Sequence, residues 1–257
     1  MIQAIFFDID GTLLSFESHA MPDSTRAALE TLHKNGVKLF LASGRGKLLV
    51  RQFDAMGLFD GAVLLNGQLC IVGDRAVHRA LLDPQDVRTV LEDSAQHGYP
   101  ILAEEEDTFY IARPNAVSEA MFRMVSHPPA QDYPIERALD HDVFKIIAYL
   151  DEAEERRLLA RLPHTTGFRW YPTFTDLGPK NGGKNIGIDK VLEAIGVPLA
   201  QTMAFGDGSN DKEMLAHVGL GVAMGNASPE VQACADYVTD TVDGDGVAKA
   251  LARFGLL

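Results

Sequence analysis

IFFDIDGTLL, residues 5–14, follows Ala4 as an apolar run that delivers Asp8 and Asp10 into a Gly11-Thr12 turn. A short, wholly apolar segment bounded by turn residues predicts a buried parallel strand. Open α/β sheets hold their ligands beyond the carboxyl ends of such strands, so Asp8 and Asp10 stand where chemistry is expected. Two carboxylates one residue apart repel each other, and a shared cation or a retained proton relieves the repulsion. A polar turn would use the same residue types without chemistry. A calcium loop counted from Asp8 would need Glu at its twelfth position, where His19 stands.

Apolar runs at 37–42, 62–65 and 202–205 predict three more buried strands, interleaved with helical patterns at 24–35, 46–56, 185–195 and 211–217. This alternation predicts an α/β fold built on a doubly wound parallel sheet. Between 82 and 178 the order becomes helix, strand pair, helix, strand, helix, strand pair, which predicts a smaller α+β domain inserted into the first. The expected division is a core of residues 1–81 and 179–257 with an inserted domain at 82–178. The Pro-rich stretch at 127–142 is expected to be a loop, and the acidic run at 104–107 a solvated turn without chemistry.

A chain of 257 residues can bury a substantial core. Its net charge of −13 argues against a nucleic-acid duplex or an anionic membrane as partner, because both are bound through Lys and Arg. The same charge requires a phosphate site to carry its own local cations. Cys70 and Cys234 stand outside any CxxC pattern, which excludes a disulfide framework and predicts a reducing cytoplasm. The apolar stretch at 4–7 is too short for a secretory core or a membrane span, and the mature chain is expected to begin at Met1.

Three further segments offer chemistry. Ser43-Gly44-Arg45 closes the second predicted strand just before a helix, where hydroxyl and backbone N–H groups can meet an anion. Ser43 would otherwise be an ordinary helix cap. Lys184 follows Gly182-Gly183 and precedes a helix, where its charge opposes the helix dipole unless an anion compensates. FGDGSND at 205–211 again joins an apolar strand to a helix, with Asp207 and Asp211 as hard oxygen donors suited to Mg²⁺. The chain has no GxSxG elbow, no GxxxxGK[ST] loop and no HExxH, and its eight His residues show no ligand spacing.

DIDGT at 8–12, SGR at 43–45, Lys184 and GDGSND at 206–211, in this order, resemble the four motifs of the haloacid dehalogenase superfamily. An insert between the second and third motifs, and the tail GLGVAMGNASPEVQACADYVT with DGDGVAKAL, are similar to its Cof-type phosphatase branch. The resemblance implies a nucleophile at Asp8 and a general acid/base at Asp10. It implies Mg²⁺ held by Asp8, Asp207 and the backbone carbonyl of Asp10, supported by Asp211. Phosphate oxygens would meet Ser43, the Gly44 N–H, Lys184, Asn210 and the Ile9 backbone, and Thr12 would orient Asp10 or cap the turn. The implied activity is hydrolysis of small phosphate monoesters, such as sugar phosphates or related metabolites, with the insert as a cap that selects substrate. Trp170, Tyr171 and Phe174 are candidates for the selective surface. A phosphotransferase or mutase would share the motifs, and a non-catalytic receiver-like module would need only a phosphorylatable Asp.

Overall fold

All four side chains of β1 (Ala4–Phe7) are fully buried, and each large one contributes about 1.5–3 kcal/mol relative to exposure. The structure, a computed structural model, describes residues 1–54, 56–124 and 130–257, without the side chains of Gln52, Asp54, Met124 and Trp170. The chain forms two compact units, one of Met1–Arg45, Val50–Arg79 and Gly183–Leu257, the other of Gly46–Leu49 and Ala80–Gly182.

In chain order the first unit contains β1, α1 (Asp23–Lys34), β2 (Lys38–Ala42), α2 (Lys47–Asp54, whose first turn belongs to the second unit), β3 (Gly61–Leu64), β4 (Leu69–Val72) and β5 (Arg75–Arg79). The second unit comprises α3 (Pro84–His97), β6 (Ile101–Glu104), β7 (Phe109–Ala112), α4 (Ala116–Met124), β8 (Lys145–Ala148), α5 (Glu152–Leu159), β9 (Thr165–Tyr171) and β10 (Phe174–Pro179). The chain then returns to the first unit through α6 (Lys184–Ile195), β11 (Thr202–Gly206), α7 (Lys212–His217), β12 (Leu220–Ala223), α8 (Pro229–Gln232), β13 (Tyr237–Val238) and α9 (Gly246–Arg253).

The first unit's sheet has the order β13-β12-β11-β1-β2-β3-β4-β5. Neighbours from β13 to β3 are parallel, and β4 and β5 extend the edge as an antiparallel pair. The sequence marks the central four strands as apolar runs, and β4 (LCIV) is equally apolar although no strand is predicted there; β5 carries Arg at both ends, β12 contains Gly221 and β13 spans two residues, so no such run announces these three. Phe6 stacks on Phe40 at 5.1 Å and Phe7 on Phe205 at 5.2 Å, one pair on each face. Strand register sets the position of the polar residues beyond these pairs. Phe7 lies opposite both Leu41 and Phe205, so β1, β2 and β11 end level and release Asp8, Ser43 and Asp207 on one edge.

The second unit is an antiparallel sheet in the order β7-β6-β8-β10-β9. One face packs Val87, Val90 and Leu91 of α3 and Leu158 of α5 against Ile101, Ala103 and Ile146. The other packs Met121 of α4 with Leu102, Ile147, Tyr149 and Phe174. Of the stretch expected as a loop at 127–142, residues 127–129 lie outside the described residues, and Ile135–Leu139 forms a 3-10 helix. The acidic run does turn between β6 and β7, with Asp107 exposed, but its first two acids are not solvated. Glu104 ends β6 in register with Lys145, is buried, and lies 3.2 Å from its ammonium. Glu105 is gripped by the Arg137 guanidinium through two bonds of 2.8 Å. Pairing across strands, invisible along the chain, converts these acids from surface to interior groups.

Candidate active site

Asp8 leaves β1 with its N–H donating to the Phe205 carbonyl at 2.9 Å, which continues the β1–β11 pairing by one residue. Its carboxylate is buried, and Lys184 Nζ donates to Asp8 Oδ1 and Asp211 Oδ1, both at 2.6 Å. Lys184 opens α6 and is itself buried. The start of that helix is fixed by the Gly183 N–H donating to the Asn66 carbonyl at 2.9 Å, with Gly183 at φ +147°. Asp211 closes a 3-10 turn, and its other oxygen accepts from the N–H groups of Asp207 (3.0 Å) and Gly208 (2.9 Å).

Asp207 is positioned from two directions: Thr12 Oγ1 donates to Oδ1 at 3.1 Å and Asn226 Nδ2 to Oδ2 at 3.0 Å. The expectation that Thr12 orients Asp10 or caps the turn is corrected here: its hydroxyl goes to Asp207, because β1 and β11 are adjacent. Asp8, Asp207 and Asp211 each place a carboxylate oxygen within 4.8 Å of the others. Burial raises the Asp8 carboxyl well above the ordinary carboxylate range, against the pull of Lys184 and with repulsion from Asp211 and Asp207 added. Burial and then Asp211 push Asp207 up to about 7. Burial acts to lower Lys184, but Asp211 and Asp8 outweigh it and hold the ammonium above its usual range. Three carboxylates facing one lysine form an acidic, oxygen-only pocket suited to a hard divalent cation.

Asp10 stands outside this cluster. Arg45 grips its carboxylate through Nε (2.8 Å) and Nη2 (2.6 Å). The Ile9 carbonyl accepts from the N–H groups of Leu13 (3.0 Å) and Leu14 (2.8 Å), tightening the turn that carries Asp10. Ser43 is buried, and its hydroxyl accepts from the Arg45 N–H at 3.1 Å. A Cβ on Gly44 would lie 3.2 Å from Asn66 Oδ1, the same atom that accepts from Asn210 Nδ2 at 3.0 Å. Sequence reasoning assigns no role to Arg45, Asn66 or Asn226. Asn66-Gly67 is a turn dipeptide, and it is the one local signal that could have drawn attention to Asn66.

Gly11 has φ +85°, and a Cβ there would meet Phe16 Cε2 at 2.5 Å and Asp207 Cγ at 2.7 Å. Gly11→Ala is therefore expected to lower stability by ~2 kcal/mol or more, and to push Asp207 out of the cluster. Urea denaturation measures the first effect; an unchanged midpoint would show that the turn relaxes freely.

A parallel sheet with clustered aspartates and a lysine at its carboxyl edge, interrupted by an inserted α+β unit, defines a class of α/β phosphoryl-transfer protein. Residues 5–251 match the family of haloacid dehalogenase-like hydrolases. The Bacillus subtilis (strain 168) protein YkrA, which bears a phosphatase name, is 34% identical over 98% of either chain. The solved structure of a sugar phosphatase of haloacid dehalogenase subclass IIB superposes with a TM-score of 0.91 at 37% identity, covering 99% of this chain and all of that one. An HMP-PP phosphatase of Enterobacter sp. (strain 638) is 30% identical over 90% of this chain and 87% of its own. The chain belongs to the haloacid dehalogenase-like hydrolases, in their Cof-type phosphatase branch, and is a phosphatase.

Proposed function

We propose that this phosphatase hydrolyses small phosphate monoesters, sugar phosphates or related metabolites, by forming an aspartyl-phosphate on Asp8. The observation that carries the reading is the Lys184 ammonium bridging Asp8 and Asp211 inside the three-aspartate cluster. Sugar phosphates are favoured because the subclass IIB relative is a sugar phosphatase.

An Asp8 oxygen attacks phosphorus, the new O–P bond forms, and the bond from phosphorus to the substrate alcohol breaks. The departing alkoxide takes its proton from Asp10. Water then gives a proton back to Asp10 and attacks phosphorus, releasing orthophosphate and restoring Asp8. Arg45 holds both Asp10 oxygens, so this two-bond pairing must open before the Asp10 carboxyl can reach a leaving group. Ser43, the Gly44 N–H, Lys184, Asn210 and the Ile9 backbone hold phosphoryl oxygens. Asp8, Asp207 and the Asp10 carbonyl, with Asp211 in support, would hold Mg²⁺, which would supply the positive charge that an anionic nucleophile needs to approach an anionic phosphorus.

The residues at 82–178 act as the cap that reads the alcohol, since the phosphate-binding groups all lie in the first unit. Tyr171, exposed and stacked at 5.5 Å on Phe174, is a candidate for its selective surface, as is Trp170; Phe174, expected there as well, is instead fully buried in the core of this unit, where β10 pairs with β8 and β9. Two free cysteines fit a reducing cytoplasm, and among the described residues no helix is long and apolar enough to cross a membrane.

The testing experiment is orthophosphate release from a panel of phosphorylated metabolites with Mg²⁺. The expected result is release that stops with excess chelator; transfer to a sugar hydroxyl without free orthophosphate would make the enzyme a phosphotransferase. Asp10→Asn is expected to slow alkyl esters by about 10²–10⁴-fold while sparing formation of the phospho-enzyme from an aryl phosphate, whose leaving group needs no proton. Equal slowing of both substrates in the attack step, seen by stopped-flow, would remove Asp10 from the acid role.

A further inference from the structure

A second group of ligating side chains lies wholly within the other unit. Asp83 caps α3 through Oδ1, which accepts from the N–H groups of Gln85 (2.8 Å) and Asp86 (3.4 Å). Its Oδ2 is left 3.7 Å from His164 Nδ1. Asp86 is 1% exposed. Its Oδ2 accepts from the His164 N–H (3.0 Å) and the Thr165 hydroxyl (2.7 Å). Its Oδ1 is buried with no hydrogen-bond partner, and His164 Nδ1 lies 3.7 Å away, beyond hydrogen-bond reach. An ionised carboxylate oxygen in that position costs free energy unless a positive charge meets it.

We infer that Asp83, Asp86 and His164 bind a divalent transition cation, with Zn²⁺ as the best-fitting class member. Ligand atoms 2.0–2.1 Å from a tetrahedral zinc stand about 3.4 Å apart, close to the 3.7 Å that separates His164 Nδ1 from each carboxylate oxygen. All three ligand atoms lie within 4.8 Å of one another. Two carboxylates and a neutral imidazole balance a divalent charge, and the nitrogen donor favours Zn²⁺ over Mg²⁺. Asp83 and His164 line a cavity of about 760 Å³ shared with Asp140, His141, Asp142 and Lys180, so water can complete the coordination; Lys180 Nζ is taken up by the Pro163 carbonyl at 2.7 Å. The bound ion would tie the N-terminus of α3 to the start of β9.

Zn²⁺ titration of the full chain in excess Mg²⁺, followed by side-chain ¹H–¹⁵N NMR of the histidines, tests this. The oxygen-only cluster around Asp8 contains no histidine, so the signal separates the two sites. One Zn²⁺ is expected to move the His164 Nδ1 resonance strongly. His164→Ala, at an exposed side chain, should weaken that site by more than about tenfold and leave Mg²⁺-dependent phosphate release unchanged. Asp86→Asn should do the same where it folds. Zn²⁺ that leaves His164 unmoved, or binds His164→Ala as tightly as the parent, would overturn the site. A His164 that responds to protons alone would show that its imidazolium, and no metal, meets Asp86.

Discussion

Asp8→Asn is expected to reduce turnover by at least about 10⁴-fold with little loss of stability. The amide cannot form the acyl-phosphate bond at a useful rate, so the variant should show no phosphorylated protein in rapid-quench experiments with radiolabelled substrate. Stability should hold because the substitution removes one of three mutually repelling carboxylates, while Lys184 keeps Asp211 at 2.6 Å. Loss of activity together with a native-like melting profile would therefore isolate the chemical step. Phosphorylation still appearing at residue 8, or turnover within tenfold of the parent, would remove Asp8 from the nucleophile role.

Lys184→Ala should damage both activity and folding. Removing one partner from a buried ion pair costs about 3–5 kcal/mol, because the remaining charge has lost its solvent and its counter-ion together. Here two buried partners, Asp8 and Asp211, lose the same ammonium. A fall in melting temperature of about 10 °C or more is expected in chelator, and the phosphoryl-binding role proposed for the ammonium predicts turnover down about 10³-fold. Mg²⁺ should raise the melting temperature of the variant more than that of the parent, since a cation among the three aspartates restores part of the missing positive charge. Identical melting of variant and parent in chelator would show that Lys184 does not hold the cluster together.

Much of the architecture is local and legible along the chain. Ala4–Phe7, Lys38–Ala42 and Thr202–Gly206 are short apolar strands ending in turn residues, and such runs alternating with helical patterns fit the buried strands of a parallel sheet. This alone puts Asp8, Ser43 and Asp207 at strand ends. The helix and strand order within 82–178 is legible for the same reason. What only tertiary structure decides is which polar groups meet. Thr12 bonds to Asp207 across 195 residues, Asn210 to Asn66 across 144, and Arg45 to Asp10 across 35. Glu104 becomes an interior acid because Lys145 faces it across two strands, and Asp86 because residues 164 and 165 fold back over it. Apolar burial depends on the periodicity of one segment. Hydrogen bonds and ion pairs act over about 3 Å and depend on strand order and register, which no single segment carries.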